Sequence, residues 1–500
     1  MDKLLYGLKQ EANTTFTTNG AVAYKSTLNK VYDLFATGAA MRYSMANECI
    51  MLFKKAYDEN PTMALKCLFY LRDVRGGGQG ERRFFRICMN WLAKYHQDDA
   101  MNLIQHVAEY GRWDDLYCFV NTPLEHEMFS FMKHQFTLDL GSKTPSLLAK
   151  WLKSENASSR ETAQLAARTR AAFGITARQY RKALSFLRGR IKIVETLMSQ
   201  NRWDEIEFDK IPSRAGLIYA NAFARRDILQ EKYKEFMQNE ANSVNAGALY
   251  PYDVVHEATK LIYLGQMPEN YFTRKLAVNK YWDNLTDYFN NATLNALVVC
   301  DTSGSMTWSN DSVAPIDIAI SLALYAAERA QGPYHGHYIS FSSRPELIET
   351  YGTDFCDKVE YIYKANLCEN TNIEATFDLI LRTALKNHLR QSELPESIVI
   401  ISDMQFDCAV DDDFNSSVME QIRRKWEAQG YKMPKLVFWN VNASLSKGNL
   451  PMRDEDGITF VSGASPVTFE MIMSGKSGID VMYDKLNSSR YEAIKSVHQG

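Results

Sequence analysis

The 500-residue sequence predicts a multidomain α + α/β protein: a helical-repeat, HEAT-like domain over residues 1–290, then a doubly wound, Rossmann-like domain over residues 291–500. Three observations carry this. Apolar residues recur at helical spacing from Leu34 to about Trp282 without strand signals between them. From Asn295 the pattern becomes short β-branched runs alternating with amphipathic stretches, the order of a parallel sheet wrapped by helices. Between the two halves, Asp283 to Asn295 is polar and rich in Asn and Asp, which suits a boundary.

Residues 1 to about 30 are polar, rich in Thr and Asn, and read as an extended arm. Helices are predicted over Ala40–Glu59, Pro61–Arg72, Glu81–Tyr95, Ala100–Tyr110, Trp113–Val120 and Arg178–Gln200, joined by short polar breaks. Arg112-Trp113-Asp114-Asp115-Leu116 recurs 90 residues later as Arg202-Trp203-Asp204-Glu205-Ile206. That spacing equals two helical-repeat periods, with each Trp wedged between helices; a shared helix-start signal is the alternative reading.

The run from Arg72 to Arg83 holds Gly76, Gly77, Gly78 and Gly80 between arginines. It lacks the Gly-Lys-Ser/Thr ending and the preceding strand of a phosphate-binding P-loop, so a helix–helix linker with solvated charges is expected, with phosphate contact by the flexible backbone beside arginine as the alternative. A different imbalance stands out between residues 160 and 192. There Arg160, Arg168, Arg170, Arg178, Arg181, Lys182, Arg188, Arg190 and Lys192 face Glu161 alone. On the helix from Arg178, Leu184, Leu187, Ile191, Val194 and Met198 form the expected buried stripe. Arg178, Arg181, Lys182, Arg188 and Lys192 gather opposite it. An anionic partner with phosphates explains such a face better than plain solvation, which mixes signs.

The second half opens on Ala296-Leu297-Val298-Val299-Cys300, a buried strand, running into Asp301-Thr302-Ser303-Gly304-Ser305 and then a helix from Pro315 to about Ala330. Further strands are predicted at Tyr338–Phe341, Glu346–Glu349, Ser397–Ser402, Leu436–Val441 and Ile458–Val461, with helices at Ala375–His388 and Ser416–Gln429. Asp301, Ser303 and Ser305 alternate along a loop at the carboxyl end of a strand, and their hard oxygen atoms suit magnesium or another divalent cation.

This Asp-x-Ser-x-Ser loop resembles the metal-ion-dependent adhesion site of von Willebrand factor A domains. The resemblance implies a site completed by Thr371 and Asp403, each on a later loop. A helical-repeat domain followed by an A domain resembles in turn the TROVE family of the Ro autoantigen and its bacterial relatives. The supporting segments are Leu71-Arg72-Asp73-Val74-Arg75-Gly76-Gly77, Ser146 to Leu152, and Leu249-Tyr250-Pro251-Tyr252-Asp253. Membership would imply a ring of helical repeats whose basic surface and central hole bind structured or misfolded noncoding RNA.

Net charge is −3 and the pI about 6.4, which excludes a globally basic nucleic-acid binder and leaves a local patch. Eight cysteines without a Cys-x-x-Cys pair suggest neither zinc nor disulfides. No signal segment or membrane span is apparent, so a cytoplasmic protein without membrane contact is expected. No Ser-His-Asp order, zinc helix or paired carboxylates point to catalysis. The expected function is noncoding-RNA binding by a non-enzyme with a Mg2+ site. RNA contacts would fall on Arg168, Arg170, Arg178, Arg181, Lys182, Arg188 and Lys192. The alternative is a metal-dependent adhesion or assembly module, in which an acidic residue of a partner protein completes the cation's coordination.

Overall fold

The computed structural model describes residues 8–9, 12–16, 22–191, 193–262, 268–307, 313–341, 345–365, 372–405, 418–443, 450–451 and 457–498. Helices dominate as far as Asp283. Pro61–Arg72 begins where Asn60 Oδ1 accepts the Met63 N–H at 3.0 Å and Pro61 takes the first turn, so the cap and the fixed φ together set the start. The stretch expected as Ala40–Glu59 is divided into a 3-10 turn, Gly38–Tyr43, and a helix, Ala46–Glu59. Ser44 and Met45 are extended, and the Glu48 carboxylate reaches back to the Met45 N–H at 2.9 Å, so the new helix starts there. Likewise Arg178–Gln200 is two helices, Ala177–Ile191 and Val194–Ser199, with Ile193 extended between them.

Two expectations about this half change. The amino-terminal arm contains an antiparallel pair, β1 (Thr14–Phe16) and β2 (Val22–Tyr24), and Tyr24 bridges onward to Leu450 of the second half. The Trp113 echo is not a structural repeat. Trp113 stacks on Phe131 above a buried Asp115, whereas Trp203 starts a three-residue 3-10 turn whose Asp204 and Glu205 are exposed. Both Trp residues open 3-10 helices, so the shared feature is the start signal.

The second half is a six-stranded sheet in the order β5-β4-β3-β6-β7-β8. Its strands are β3 (Ala296–Asp301), β4 (His337–Phe341), β5 (Glu346–Glu349), β6 (Ser397–Ser402), β7 (Lys435–Asn440) and β8 (Ile458–Ser462). All pairings are parallel except β4 with β5. β3, β6 and β7 are almost wholly buried, the mark of a sheet covered on both faces. Strand order reverses between β3 and β6, so the crevice at their carboxyl ends is the switch point where doubly wound sheets place ligands.

This second domain touches both ends of the helical half. At one end the Phe460 N–H donates to Tyr32 Oη at 2.9 Å, Ala443 N–H donates to Ala40 O at 2.9 Å, and Arg490 pairs with buried Asp73 at 2.8 Å. At the other end Trp282 stacks on Phe355 with centroids 4.0 Å apart, and Lys275 pairs with Asp354 at 2.9 Å. The α/β domain thus packs on both the first and the last helices of the helical half. Among the described residues no helix is long and apolar enough to cross a membrane.

Candidate functional site

Parallel pairing of β3 with β6 sets Cys300 opposite Ile401, so the residues that follow, Asp301 and then Ser402 and Asp403, emerge side by side at the switch point. Asp301, Ser303, Ser402 and Asp403 are all buried. Asp301 Oδ1 accepts the Ser303 N–H at 2.9 Å, Asp301 Oδ2 accepts the Ser402 hydroxyl at 2.6 Å, and the Ser303 and Ser305 hydroxyls lie 3.1 Å apart. Gln405 N–H donates to Asp403 Oδ1 at 3.1 Å. Met404 between them has φ +64, a strained conformation for an unbranched non-glycine residue that turns the chain sharply beside the carboxylate.

Four of the five expected ligands, Asp301, Ser303, Ser305 and Asp403, therefore converge; Thr371 lies outside the described residues. Burial first, then repulsion from Asp301, pushes the Asp403 carboxyl up to about 7, and the Ser305 hydroxyl only partly offsets this. Asp403 Oδ2 is buried with no hydrogen-bond partner among the described residues. Two crowded carboxylates, one with an unsatisfied oxygen, beside two hydroxyls fit a divalent cation, which would cancel the repulsion and occupy the orphan oxygen. Among the described residues no cluster of three or more His, Cys, Asp or Glu forms, so such a cation would rely on hydroxyls and water for its remaining ligands. Ser402, which orients Asp301, was missed in the sequence; its signal was a hydroxyl ending an apolar strand directly before Asp403.

The residues expected to bind RNA do not form one face. Arg168 is held by Glu125 and Asn121, and Arg170 by Glu155, which also lies 3.8 Å from Arg181. Acids from outside the basic span thus neutralise part of it, which local sequence counting could not show. Arg178 and Lys182 are exposed, with no ion pair among the described residues, and Lys192 lies outside them. Arg188 leaves the exposed face: it donates to the carbonyls of Ala149 and Leu152 at 2.9 and 2.8 Å, closing the short helix Leu148–Trp151.

Arg188 also lines a cavity of about 1040 Å³, where eight Arg and Lys side chains stand with two acids, Glu81 and Glu195. The glycine run supplies much of its wall; Arg75, Arg82 and Arg83 are exposed, as expected of a linker, whereas Arg72, Asp73 and Glu81 are buried. Arg72 is buried against Asp115 at 2.7 Å, and Asp115 also accepts from Arg86 Nε at 2.6 Å. Gly80, at φ +70, passes so close to Tyr250 that a Cβ there would lie 2.2 Å from its hydroxyl. Arg42 pairs with Glu81, and Arg112 pairs with Asp114 at 2.7 Å while stacking 3.9 Å over Trp151. Arg82, Arg83 and Lys150 have no ion pair among the described residues. Partial burial, then repulsion from Arg112 and Arg86, holds Arg82 below its ordinary pKa, and burial followed by repulsion from the same arginines does so for Lys153. Tyr250 and Tyr252 stack with centroids 5.7 Å apart on the same wall. The cavity thus sets cations that have no ion pair among the described residues beside aromatic rings, of which Tyr252 is buried and Trp151 is stacked by Arg112.

Residues 17–146 and 138–293 match the domain of unknown function DUF2828, and residues 295–498 match the domain of unknown function DUF7788. The chain belongs to the DUF2828 family. It is 30% identical over 508 residues to uncharacterized protein L728 of Acanthamoeba polyphaga mimivirus, a match that covers 93% of this chain and 85% of that protein. Among solved structures it is similar to the Ro (RSR) protein of Deinococcus radiodurans, at 14% identity and a TM-score of 0.48, over 92% of this chain and 99% of that one. In these terms the basic cavity lies mainly in the DUF2828 part, and the paired carboxylates lie in the DUF7788 part.

Proposed function

We propose that this DUF2828 protein is a non-catalytic RNA-binding protein that takes a single-stranded segment into its central cavity and carries a Mg2+ site in its α/β domain. The observation that supports the reading best is the excess of unpaired cations, Arg82, Arg83 and Lys150, beside the Trp151 and Tyr250–Tyr252 rings. Phosphates answer the cations and bases answer the rings, a combination that serves single strands without requiring a sequence. Arg178, Arg181 and Lys182, exposed and outside the cavity lining, would act as an approach surface for the structured part of the same RNA. Sequence would matter little, because phosphate contacts position and do not specify.

The unsatisfied Asp403 Oδ2 favours a second reading, in which the cation is the business end and an acidic side chain of a protein partner completes its coordination. Fluorescence anisotropy with a labelled oligouridylate separates the two. RNA binding that weakens steeply with salt supports the first reading. Absence of RNA binding at low salt, with a cation still bound, would favour the second.

A further inference from the structure

The two sites share a piece of wall. Val313 lines the basic cavity, and its carbonyl accepts the Tyr43 hydroxyl at 2.8 Å. On the helical side, Tyr43 sits between Arg42, whose guanidinium lies 5.2 Å over the Tyr252 ring, and Ser44, whose carbonyl accepts from Arg83 Nη1 at 2.6 Å. On the α/β side, Val313 precedes the helix Pro315–Arg329, which packs against both β3 and the turn Gly304–Thr307 that follows Ser303. The start of that helix is fixed by Asp317, which accepts the Ala314 N–H at 3.3 Å and the Tyr363 hydroxyl. The same helix packs along Pro251–Ile262, the helix whose first turn carries Tyr252 on the cavity wall. Two routes of direct contact therefore run from the paired carboxylates to the cavity.

We propose that cation binding at Asp301 and Asp403 and single-stranded RNA binding in the cavity are coupled through the Tyr43–Val313 contact, each raising the affinity of the other. The proposal rests on the function proposed above and adds its regulation. Coordination requires the Ser303 and Ser305 hydroxyls to hold one arrangement, which fixes the turn after β3, the start of the following helix, and with it the Val313 carbonyl. A fixed Val313 holds Tyr43, and Tyr43 holds Arg42 and the backbone that anchors Arg83, so the wall that meets phosphates is set before RNA arrives. Pre-set walls bind more tightly because less ordering accompanies binding. The charge effect has the same sign, since the cation cancels two buried carboxylates whose field opposes a polyanion.

Coupling between sites commonly amounts to factors of about 5 to 150, and a single hydrogen-bonded contact backed by helix packing belongs toward the lower part of that range. The test measures the affinity of the full chain for a fluorescein-labelled oligouridylate of about ten nucleotides by anisotropy, in EDTA and in Mn2+ at matched ionic strength. Calorimetric titration of Mn2+ with and without the unlabelled oligonucleotide gives the reverse effect. We expect Mn2+ to tighten RNA binding about tenfold and RNA to tighten Mn2+ binding by the same factor, as linkage demands. The double variant D301N/D403N should bind RNA without responding to Mn2+, which separates this effect from any action of the ion on the RNA itself. In Tyr43→Phe the ratio of affinities with and without Mn2+ should fall toward one, whatever happens to either absolute affinity. The coupling is overturned if both ligands bind the wild type but the ratio stays within about twofold of one, or if Tyr43→Phe keeps the full ratio. Absence of RNA binding in every condition overturns the proposed function and the coupling together.

Discussion

Replacing Asp403 by Asn should stabilise the metal-free protein above neutral pH while abolishing its response to divalent cations. The carboxyl of Asp403 is raised from an ordinary 3.8 to about 7, by burial first and by Asp301 second. A carboxyl raised on folding contributes stability that is fully present below its unfolded pKa and is lost as pH rises through its folded value. Here the loss therefore runs from about pH 4 to about pH 7. Above pH 7 the accumulated loss is about 4 kcal/mol, taking about 1.4 kcal/mol per unit. Asn removes the charge and keeps the shape, but its amide N–H would lack an acceptor where Oδ2 now sits, at a cost of about 1–2 kcal/mol. The net gain at pH 8 should be about 2 kcal/mol. Thermal unfolding in EDTA, followed by circular dichroism at pH 5 and pH 8, reads the difference: the variant should match or fall below wild type at pH 5 and exceed it at pH 8. With Mg2+ at about 100 times its dissociation constant, wild type should gain about 2.7 kcal/mol and the variant nothing. A variant less stable than wild type at both pH values, yet stabilised by Mg2+ as wild type is, would refute both the crowding of the two carboxylates and their role as ligands.

Three further outcomes follow from the geometry. The double variant R82E/K150E should weaken oligouridylate binding and flatten the dependence of log affinity on log salt by about 0.7 for each phosphate contact removed, read from anisotropy over a salt series. The triple variant R178E/R181E/K182E should weaken binding of a long structured RNA at any sequence and spare the short oligonucleotide, with an unchanged circular dichroism spectrum because all three side chains are exposed. Burial would raise the Asp114 carboxyl, but the hydrogen bond from Arg112 and the charges of Arg112 and Arg86 hold it at about 2, so it stabilises the fold above about pH 4 and loses that contribution as pH falls through 2. Asp114→Asn should therefore cost about 2 kcal/mol at pH 7, with the deficit shrinking between pH 4 and pH 2 in chemical unfolding titrations.

The central strands of the α/β half were legible because buried parallel strands write continuous apolar runs, and Ser397–Ser402 matches the structure residue for residue; Glu346–Glu349 also matches, as an exposed antiparallel edge strand. Pro61–Arg72 was legible for a similar reason, with Asn60 and Pro61 marking its start. The split at Ser44 and the break at Ile193 were not, since the apolar spacing runs on through both; the first is marked by the local cap that Glu48 places on the Met45 N–H. In the metal site, alternation along one loop made Asp301, Ser303 and Ser305 readable, but Ser402 acts across 101 positions of sequence and needed the β3–β6 pairing to be seen. The cavity was beyond reach for the same reason. Its cations come from segments as distant as Arg42 and Arg214; the Arg72–Arg83 run, Arg112 and Arg188 each drew notice locally, but nothing in the sequence placed them together, and Glu125 and Glu155 quieted part of the run from Arg160 to Lys192 from elsewhere.

The claim that RNA enters the cavity is tested most directly by ultraviolet cross-linking of the purified full chain to an oligouridylate, followed by mass spectrometry of the cross-linked peptides. If single-stranded RNA lies in the cavity, cross-links should concentrate on peptides carrying Trp151, Tyr250 and Tyr252, and should disappear in R82E/K150E. Cross-links confined to the α/β domain or to the outer face around Arg178, or unchanged in that variant, would contradict it.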